Sequence, residues 1–264
     1  MHITSRDNSL LRQARTVRDG KVDEMIFVEG LRLCAEALRS KLEIDAVIAS
    51  EELVRKEKGA AAFAELSQAA QRAATVSEKL LESISYTKTP QGIVVLARRP
   101  EASEQRLAAS LTTDSLIVVL HQINNPVNVG AILRTAEAAG ATGIITTKNT
   151  SDPFSPKSLR GAMGSAFRLP VWRNTDLDKA VAWCRERSIN LLGTAAAAKM
   201  RHTDWDWKRP SALVLGPEST GLSDEELNAT DQTVSIPMHG EVESLNVSVA
   251  AGILLYEAAR QRSS

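Results

Sequence analysis

The sequence predicts an α/β protein whose second half contains a parallel sheet. Short aliphatic runs alternate there with segments of helical periodicity, which is typical of parallel strands joined by helical crossovers. The length of 264 residues suits one large domain or two modest ones. Residues 98–114 contain almost no β-branched apolar residue. We therefore predict a domain at 1–98, a linker at 99–113 and a second domain at 114–264.

The predicted first domain mixes strands with helices. Apolar runs next to Pro or Gly indicate strands, and apolar residues at helical spacing indicate helices. The predicted strands are 25–30, 44–50 and 89–97, and the predicted helices are 31–40 and 56–74. Few acidic residues accompany the arginines of the first twenty positions, which are Arg6, Arg12, Arg15 and Arg18. At helical spacing they form either a solvated helix face or a set of RNA phosphate contacts.

The predicted second domain alternates strands and helices throughout. The predicted strands are 115–120, 143–147, 169–172, 189–196, 211–216 and 233–238. The predicted helices are 129–140, a short helix after Lys157, 176–188, 223–229 and 245–262. Ser223 followed by Glu226 has the spacing of a capping box at a helix start.

The overall composition excludes several classes of protein. The 32 basic residues balance 32 acidic ones, which argues against a polybasic or an acidic disordered chain but leaves room for a local basic patch. Cys34 and Cys184 lack metal-ligand spacing, so we expect buried thiols and no metal site. No segment resembles a signal peptide or reaches the ~18 apolar residues of a membrane span, which predicts a soluble cytoplasmic protein. GxGxxG, GxxxxGK[ST], HExxH and CxxC motifs are missing from the sequence.

Three polar segments follow predicted strands of the second domain. In the first, 124–141, Asn128 and Arg134 come shortly after a strand, where open α/β sheets place ligands. Asn128 could instead cap the helix, and Arg134 could be an ordinary surface charge. We place Arg134 close to the helix N-terminus, where a cation opposes the helix dipole, and this cost favours a ligand role.

The second and third segments are loops rich in Gly, Pro and polar residues. The segment 213–227 runs from an apolar strand through Gly216, Glu218 and Gly221, which suits a tight loop with exposed backbone groups. In the segment 234–260, Ser244 and Asn246 precede a long helix, and either could be its N-cap.

Together these segments resemble the three motifs of the SpoU/TrmH-type RNA 2′-O-ribose methyltransferases of the SPOUT superfamily. The matching stretches are NPVNVGAILRTAEAAG, LVLGPESTGL and IPMHGEVESLNVSVAAGILLYE, in the family's order. KSLRGAMGSAFRLPV resembles the family's intermediate segment, although Ala162 stands where some relatives have Ser. Through FVEGLRLCAEAL and TPQGIVVLA, the first half is more weakly similar to the family's substrate-binding domain, a small ribosomal-protein-like α/β fold.

The resemblance implies that the second domain is an α/β-knot (SPOUT) catalytic domain that binds S-adenosylmethionine in a deep trefoil knot. No metal is implied. The implied cofactor-binding residues are Leu215, Gly216, Gly221, Ile236, Met238 and Leu245. The implied catalytic residues are Asn128, Arg134, Glu218, Ser244 and Asn246.

The implied reaction is attack of a ribose 2′-hydroxyl on the cofactor's methyl group. A free guanidinium has a pKa above about 12 and is a poor base. We therefore assign Arg134 to binding the adjacent phosphate and to stabilising negative charge on the ribose oxygen. Asn128 and Asn246 would orient the nucleotide or brace the loops, and Glu218 would fix either Arg134 or its own loop.

An RNA substrate requires positive charge near the site. Residues 148–173 carry five basic residues against the single acid Asp152, and the basic ones are Lys148, Lys157, Arg160, Arg168 and Arg173. We predict RNA contacts at Arg6, Arg12, Lys157, Arg160 and Arg168. Ordinary solvated charge is the alternative for this segment. The low aromatic content, 4%, disfavours a stacking platform for single strands.

In relatives, two subunits pair through the catalytic domain, which implies a homodimer. The helix 245–262 has an apolar stripe that could form such an interface or face its own sheet, made of Val247, Ala250, Ala251, Leu254, Leu255 and Ala258. The N-terminal domain and the total length resemble the members of the family that act on ribosomal RNA or confer antibiotic resistance, which implies a ribosomal RNA substrate, with the large subunit preferred. A tRNA ribose methyltransferase and a non-catalytic RNA-binding or ribosome-assembly factor are the alternatives.

Overall fold

Two β-sheets, one in each half of the chain, organise the structure, a computed structural model that describes residues 1–263. One compact unit comprises Met1–Pro100 with Phe154–Arg168, and the other comprises Glu101–Pro153 with the chain from Leu169 onward. The predicted α/β fold class is confirmed. The division at 99–113 stays a prediction about separately folding domains.

The first unit is built on a five-stranded mixed sheet. Its strands are β1 (His2–Ile3), β2 (Met25–Glu29), β3 (Ile44–Ser50), β4 (Ala70–Val76) and β5 (Ile93–Arg98). Its first helices are α1 (Ser9–Arg18), α2 (Leu31–Arg39), α3 (Glu51–Val54), α4 (Glu57–Ala69) and α5 (Glu78–Ile84). The strand order is β1-β4-β3-β5-β2, and β5 pairs antiparallel with both of its neighbours. Apolar residues of α1, including Leu10, Leu11 and Ala14, pack against this sheet in one core.

The second unit is built on a seven-stranded sheet whose pairings are all parallel, as predicted. Its strands are β6 (Leu116–Leu120), β7 (Gly143–Thr147), β8 (Val171–Thr175), β9 (Asn190–Thr194), β10 (Met200–Arg201), β11 (Ser211–Leu215) and β12 (Gln232–Ser235). Their order is β10-β12-β9-β11-β6-β7-β8. The central strands β6 and β11 are buried at every residue, as expected of parallel strands covered on both faces.

The remaining helices complete the two units. They are α6 (Glu104–Ala109), α7 (Pro126–Ala138), α8 (Pro156–Ala162), α9 (Ser165–Arg168), α10 (Leu177–Glu186), α11 (Asp224–Asn228) and α12 (Val247–Arg262). Helices α8 and α9 belong to the first unit, and the others to the second. Leu107 of α6 and Ala180 of α10 join one face of the seven-stranded sheet in a shared core. Within residues 1–263, no helix combines the length and apolar character needed to cross a membrane.

The predicted helix at 56–74 is wrong at its C-terminal end. Helix α4 ends at Ala69, and residues 70–76 form β4, which pairs with β1 and β3. Alanine favours helices, and the sequence gives no clear break before Thr75 and Val76. Strand pairing on both sides overrides this local preference, because each strand satisfies the other's backbone groups.

Other predicted boundaries shift by a few residues. Helix α7 begins at Pro126 rather than at 129, because the Asn125 side chain accepts a hydrogen bond from the Val127 N–H and caps the helix. The predicted strand 89–97 begins at Ile93, after Gly92 adopts a positive φ of 82°. The strands predicted at 189–196 and 233–238 end early, at Thr194 and Ser235.

Two local predictions are confirmed. Ser223 and Glu226 form the predicted capping box at the start of α11. Both cysteines are free and buried, and burial raises the pKa of the Cys184 thiol to about 12.

Most of the apolar stripe predicted for subunit pairing on α12 is used inside its own chain. Ala251, Leu254, Leu255 and Ala258 are buried, and α12 packs against α7. These four residues are therefore buried within their own unit, where the contact shown is with α7 rather than with the sheet. Different apolar residues of α12 stay exposed, namely Val249, Ile253 and Tyr256.

Candidate active site

A cavity of about 520 Å³ lies in the second unit, where the loops that follow β9, β11 and β12 meet. These three strands are neighbours and run parallel, so their carboxyl ends reach the same edge of the sheet. The lining consists of Thr194–Ala197, Leu215–Leu222, Val234, Ile236, Met238, Glu243–Leu245 and, from α12, Val247, Ala250 and Leu254. A volume of this size suits a small organic ligand.

All six residues predicted to bind a cofactor line this one cavity. They are Leu215, Gly216, Gly221, Ile236, Met238 and Leu245. Glu218 and Ser244, predicted as catalytic, line it as well. The sequence reasoning missed Thr194–Ala197, which follows β9. In the sequence, these residues are marked only by their small size and by the apolar strand before them. They can be assigned to the site only once β9 is known to lie between β11 and β12.

The loop after β11 folds back on itself at a glycine. A Cβ atom on Gly216 would lie 2.6 Å from the backbone nitrogen of Leu222 and 2.8 Å from the carbonyl carbon of Gly221. Gly221 itself has a positive φ of 65°. Any side chain at Gly216 would therefore push the loop open, so the shape of this cavity wall depends on glycine there.

Three predicted catalytic residues form one hydrogen-bonded chain. The Asn128 Nδ2 group donates to Glu218 Oε1 at 2.5 Å, and the Asn246 Nδ2 group donates to Asn128 Oδ1 at 3.3 Å. Asn128 is buried within α7, Glu218 lies in the loop after β11, and Asn246 precedes α12. The chain therefore ties three separate elements together beside the cavity.

Of the two asparagines considered as helix caps, one caps a helix and the other does not. Asn246 is the N-cap of α12, since its Oδ1 atom accepts hydrogen bonds from the Ser248 N–H at 2.9 Å and the Ser248 hydroxyl at 2.6 Å. Asn128 is not a cap, because Asn125 occupies that position in α7. The buried amide of Asn128 is thus available for the contacts with Glu218 and Asn246.

Arg134 occupies a different place from the one predicted. Helix α7 begins at Pro126, so Arg134 lies more than two turns into it and its opposition to the helix dipole is small. The dipole argument for its ligand role is therefore wrong. Its side chain is exposed and makes no hydrogen bond or ion pair with residues 1–263, and Glu218 contacts Asn128 instead. The guanidinium is thus open to a ligand from outside the chain.

The cations predicted to contact RNA fall into different environments. Arg6 and Arg12 of the first unit are exposed, and so are Lys157 and Arg160 of α8. Among the described residues, these four side chains have no acidic partner. Arg168 instead pairs with Glu36 at 2.8 Å within the first unit. Lys148 of the second unit pairs with Asp176 at 2.7 Å.

Comparison with known protein families gives two matches that together span most of the chain. The model of the SpoU rRNA Methylase family matches residues 115–256. A model described as the MRM3-like substrate binding domain matches residues 11–95. The first match covers the cavity and the Asn128–Glu218–Asn246 chain.

Individual relatives agree with these matches. The chain is 37% identical over 191 residues to the 23S rRNA (guanosine-2′-O-)-methyltransferase RlmB of Shewanella oneidensis, covering 71% of this chain and 78% of the relative. It is 30% identical over 245 residues to the 23S rRNA (guanosine(2553)-2′-O)-methyltransferase RlmP of Bacillus subtilis, covering 93% and 92%. The crystal structure of the SpoU methyltransferase AviRb from Streptomyces viridochromogenes in complex with AdoMet aligns with a TM-score of 0.86 and 28% identity, over 97% and 99% of the two chains.

Proposed function

The chain belongs to the SpoU rRNA Methylase family, and on that premise we propose that it methylates a ribose 2′-hydroxyl of large-subunit ribosomal RNA. It is an S-adenosylmethionine-dependent RNA 2′-O-methyltransferase, as predicted. The observation that carries the proposal is the cavity itself, which gathers every residue expected to bind the cofactor beside the polar chain of Asn128. A ribosomal RNA substrate also favours the predicted cytoplasmic location.

The residues around the cavity fit S-adenosylmethionine. Leu215, Ile236 and Leu245 offer apolar surface to an adenine ring, and the loop after β11 offers backbone groups. The charged side chains in the lining are Glu218 and Glu243, and both are acidic. This sign of charge suits a ligand that carries a sulfonium and an ammonium group.

When bound, S-adenosylmethionine supplies the methyl group that the ribose oxygen attacks. The chain's own contribution begins with Arg134, whose exposed guanidinium has no partner among the described residues. We assign it to the phosphate next to the target ribose, where it also stabilises the negative charge that grows on the 2′-oxygen. Because a guanidinium is a poor base, we assign the proton of the 2′-hydroxyl to phosphate or water.

The asparagines and Glu218 serve to fix the walls of the site. Because Asn128 binds both Glu218 and Asn246, it holds the loop after β11 and the start of α12 in one arrangement. Of the roles considered for Glu218, bracing its own loop is the one that its contact with Asn128 supports. Ser244 lines the cavity and is exposed, so its hydroxyl can reach a bound ligand.

RNA binding is assigned to the first unit. The substrate-binding family model matches residues 11–95, and Arg6, Arg12, Lys157 and Arg160 offer exposed cations there without acidic partners among the described residues. Arg168 contributes less because Glu36 already neutralises it. These cations would bind phosphates and position the RNA without reading its sequence.

A homodimer is also part of the proposal. Val249, Ile253 and Tyr256 lie on one stripe of α12 and are 51%, 36% and 57% exposed. Val127 of the adjoining helix α7 is 46% exposed. Exposed apolar residues that lie together are typical of a protein–protein interface. Since we predict a homodimer, we propose that a second copy of this chain covers them.

Transfer of a labelled methyl group tests the function directly. The protein would be incubated with labelled S-adenosylmethionine and total RNA from a strain that lacks its gene, and the RNA would then be fractionated. We expect label in large ribosomal RNA that resists alkali as a dinucleotide, because 2′-O-methylation blocks cleavage at that ribose. Label in tRNA would favour the tRNA alternative. Cofactor binding without transfer to RNA or to ribosomal particles would favour the non-catalytic alternative.

A further inference from the structure

His121 is a buried histidine that the proposed reaction does not use. It follows β6 directly and is 5% exposed. Its Nδ1 atom lies 3.0 Å from the Thr147 hydroxyl at the end of β7, and its Nε2 atom lies 2.8 Å from Glu226 Oε1 in α11. A carboxylate only accepts hydrogen bonds, so Nε2 carries a proton and donates to Glu226. Both ring nitrogens are therefore engaged.

Glu226 connects His121 to the start of α11. Its second oxygen, Oε2, accepts from the Ser223 N–H at 2.8 Å, and the Ser223 hydroxyl accepts from the Glu226 N–H at 3.2 Å. Partial burial opposes ionisation, but the hydrogen bonds from Ser223 and His121 outweigh it and lower the pKa of Glu226. One carboxylate thus caps the helix and binds the sheet at the same time.

Helix α11 is short and depends on a small number of tertiary contacts. It has five residues, and none of them is buried. A helix this short is not stable by itself and depends on its tertiary contacts. The adjoining Leu222 is buried in the core, and Leu227 of α11 packs against the same core. Arg185 also donates a hydrogen bond to the carbonyl of Ala229, just after the helix. The charge-assisted bond between Glu226 and His121 adds the attachment of α11 to the end of β6.

The position of α11 matters because of the loop that leads into it. This loop, 216–222, joins β11 to α11, and each of its seven residues lines the cavity. Asn128 holds the loop in its middle through Glu218, and the Glu226–His121 bond holds the element just beyond its end. Without the second attachment, packing of Leu222 and Leu227 would still hold the end of the loop, but the position of α11 would be less well fixed.

We propose that His121 and Glu226 are positioning residues for the cofactor-binding loop 216–222. They act through α11, since neither side chain lines the cavity. The inference rests on the proposed function, because it requires the cavity to be the S-adenosylmethionine site. These two residues are not among the predicted site residues. For the loop to bind cofactor tightly, α11 must be attached to the end of β6.

A double-mutant cycle on cofactor affinity tests the inference. The variants are His121→Ala, Glu226→Ala and the double variant, with Glu225→Ala as the control, since Glu225 is an exposed acid in the same helix. The dissociation constant for S-adenosylmethionine would be measured by calorimetry without RNA. We expect a rise of about tenfold in each single variant and no further rise in the double one, because both changes break the same bond. The control should bind like the parent protein.

Three further measurements separate positioning from general loss of structure. Amide exchange of the cofactor-free protein should speed up in 216–226 and stay unchanged in the first unit. The KM for the cofactor should rise more than kcat falls. His121→Gln, which keeps a donor near Glu226, should recover most of the affinity. Because Glu226 also caps α11, Ser223→Ala measures the cost of losing the cap alone, and that cost should be smaller.

The outcomes distinguish the inference from the function beneath it. Parent-like affinity and loop exchange in His121→Ala would overturn the inference, and so would independent, additive effects of the two substitutions. Leu245→Asp, in the cavity wall, tests the site itself. If Leu245→Asp abolishes cofactor binding while His121→Ala does not weaken it, the site stands and only the inference fails. If Leu245→Asp binds cofactor normally, the proposed site is wrong and the inference fails with it.

Discussion

At the residue scale, the candidate site depends on amides that connect elements far apart in sequence. Asn128 and Asn246 are 118 residues apart, and Asn128 and Glu218 are 90 apart. The resemblance predicted that these residues matter, but the sequence alone did not show that they bind one another. A buried amide with both of its ends satisfied fixes the geometry of its partners, because breaking either contact leaves a polar group unpaired.

Arg134 provides the sharpest test of the proposed chemistry. We expect Arg134→Ala to lower kcat by ~10²–10³-fold, the range typical of losing a group that stabilises transition-state charge. Cofactor affinity should change little, because Arg134 does not line the cavity. Single-turnover rates and calorimetry would separate the two quantities. Arg201→Ala, at an exposed arginine elsewhere in the same unit, is the control. Near-normal turnover of Arg134→Ala would refute the assignment.

The residues that sequence reasoning missed share a physical cause. Thr194–Ala197 and the His121–Glu226 pair gain their significance from strand order and from a contact across 105 residues. Neither is visible in local periodicity or in a motif of short spacing. The six residues predicted to bind the cofactor line one cavity, and their proximity could be expected because all of them lie within the two motifs that include β11 and β12 or follow them.

At the element scale, a buried acid holds one loop of the first unit. Glu29 ends β2 and is 5% exposed. Its carboxylate accepts hydrogen bonds from the Tyr86 N–H at 2.8 Å, the Thr87 N–H at 3.2 Å and the Thr87 hydroxyl at 2.5 Å. Arg18 adds two longer bonds to the carbonyls of Ser83 and Ser85. The loop before β5 is therefore fixed by side chains rather than by strand pairing.

Removing that acid should loosen the loop. We expect Glu29→Ala to lower the free energy of unfolding by about 1–3 kcal/mol, because the donors of Tyr86 and Thr87 lose their buried acceptor. Amide exchange at those two residues should rise first. Glu29→Gln keeps one acceptor and should cost less. Denaturant unfolding would measure both variants against Glu24→Ala, at an exposed acid close by in the sequence. Equal stability of all three variants would contradict the role.

Glu257, near the C-terminal end of α12, should make the stability of the folded protein depend on pH. Hydrogen bonds from Arg260, opposed by burial and joined by one from Gln261, lower the pKa of Glu257 from 4.5 to about 2. A carboxylate whose pKa is lower in the folded protein than in the unfolded chain stabilises the fold at any pH above its unfolded-state pKa. This contribution is lost as the pH falls through the pKa of the folded state. We expect it to disappear between about pH 4.5 and pH 2. Melting temperatures of Glu257→Gln should fall less than those of the parent protein across that window.

Element boundaries show where local patterns stop being sufficient. Strand β4 lies in an alanine-rich stretch that favours helix, and only pairing with β1 and β3 makes it a strand. Helix α7 starts earlier than predicted because Asn125 and Pro126 form the start, whereas the apolar periodicity begins later. Strong helical periodicity in α2 and α10 was sufficient to predict those helices.

At the scale of the whole molecule, the alternation of strands and helices was enough to predict a parallel sheet. It could not predict the order β10-β12-β9-β11-β6-β7-β8, because strand order depends on how crossovers pack and leaves no periodic mark in the sequence. The knotted class came from the resemblance alone. The net charge of zero likewise does not show which basic side chains form ion pairs. Arg168, for example, pairs with Glu36.

Subunit association is a property of the whole molecule that α12 should control. We expect Tyr256→Asp to convert a dimer to a monomer, because it places a charge in the exposed apolar stripe. Light scattering after size-exclusion chromatography would measure the mass. Tyr86→Asp, at an exposed tyrosine of the first unit, should leave the mass unchanged. A parent protein that is monomeric at all concentrations would rule out the dimer.

Helices α8 and α9 lie between β7 and β8 of the second unit in sequence, yet they belong to the first unit. Leu159 and Phe167 of this helix pair are buried, and Arg168 pairs with Glu36. The two units are consequently not modules that recombination could exchange with a single crossover. A gene fusion joined near residue 100 would transfer the first unit without the helical pair that completes it.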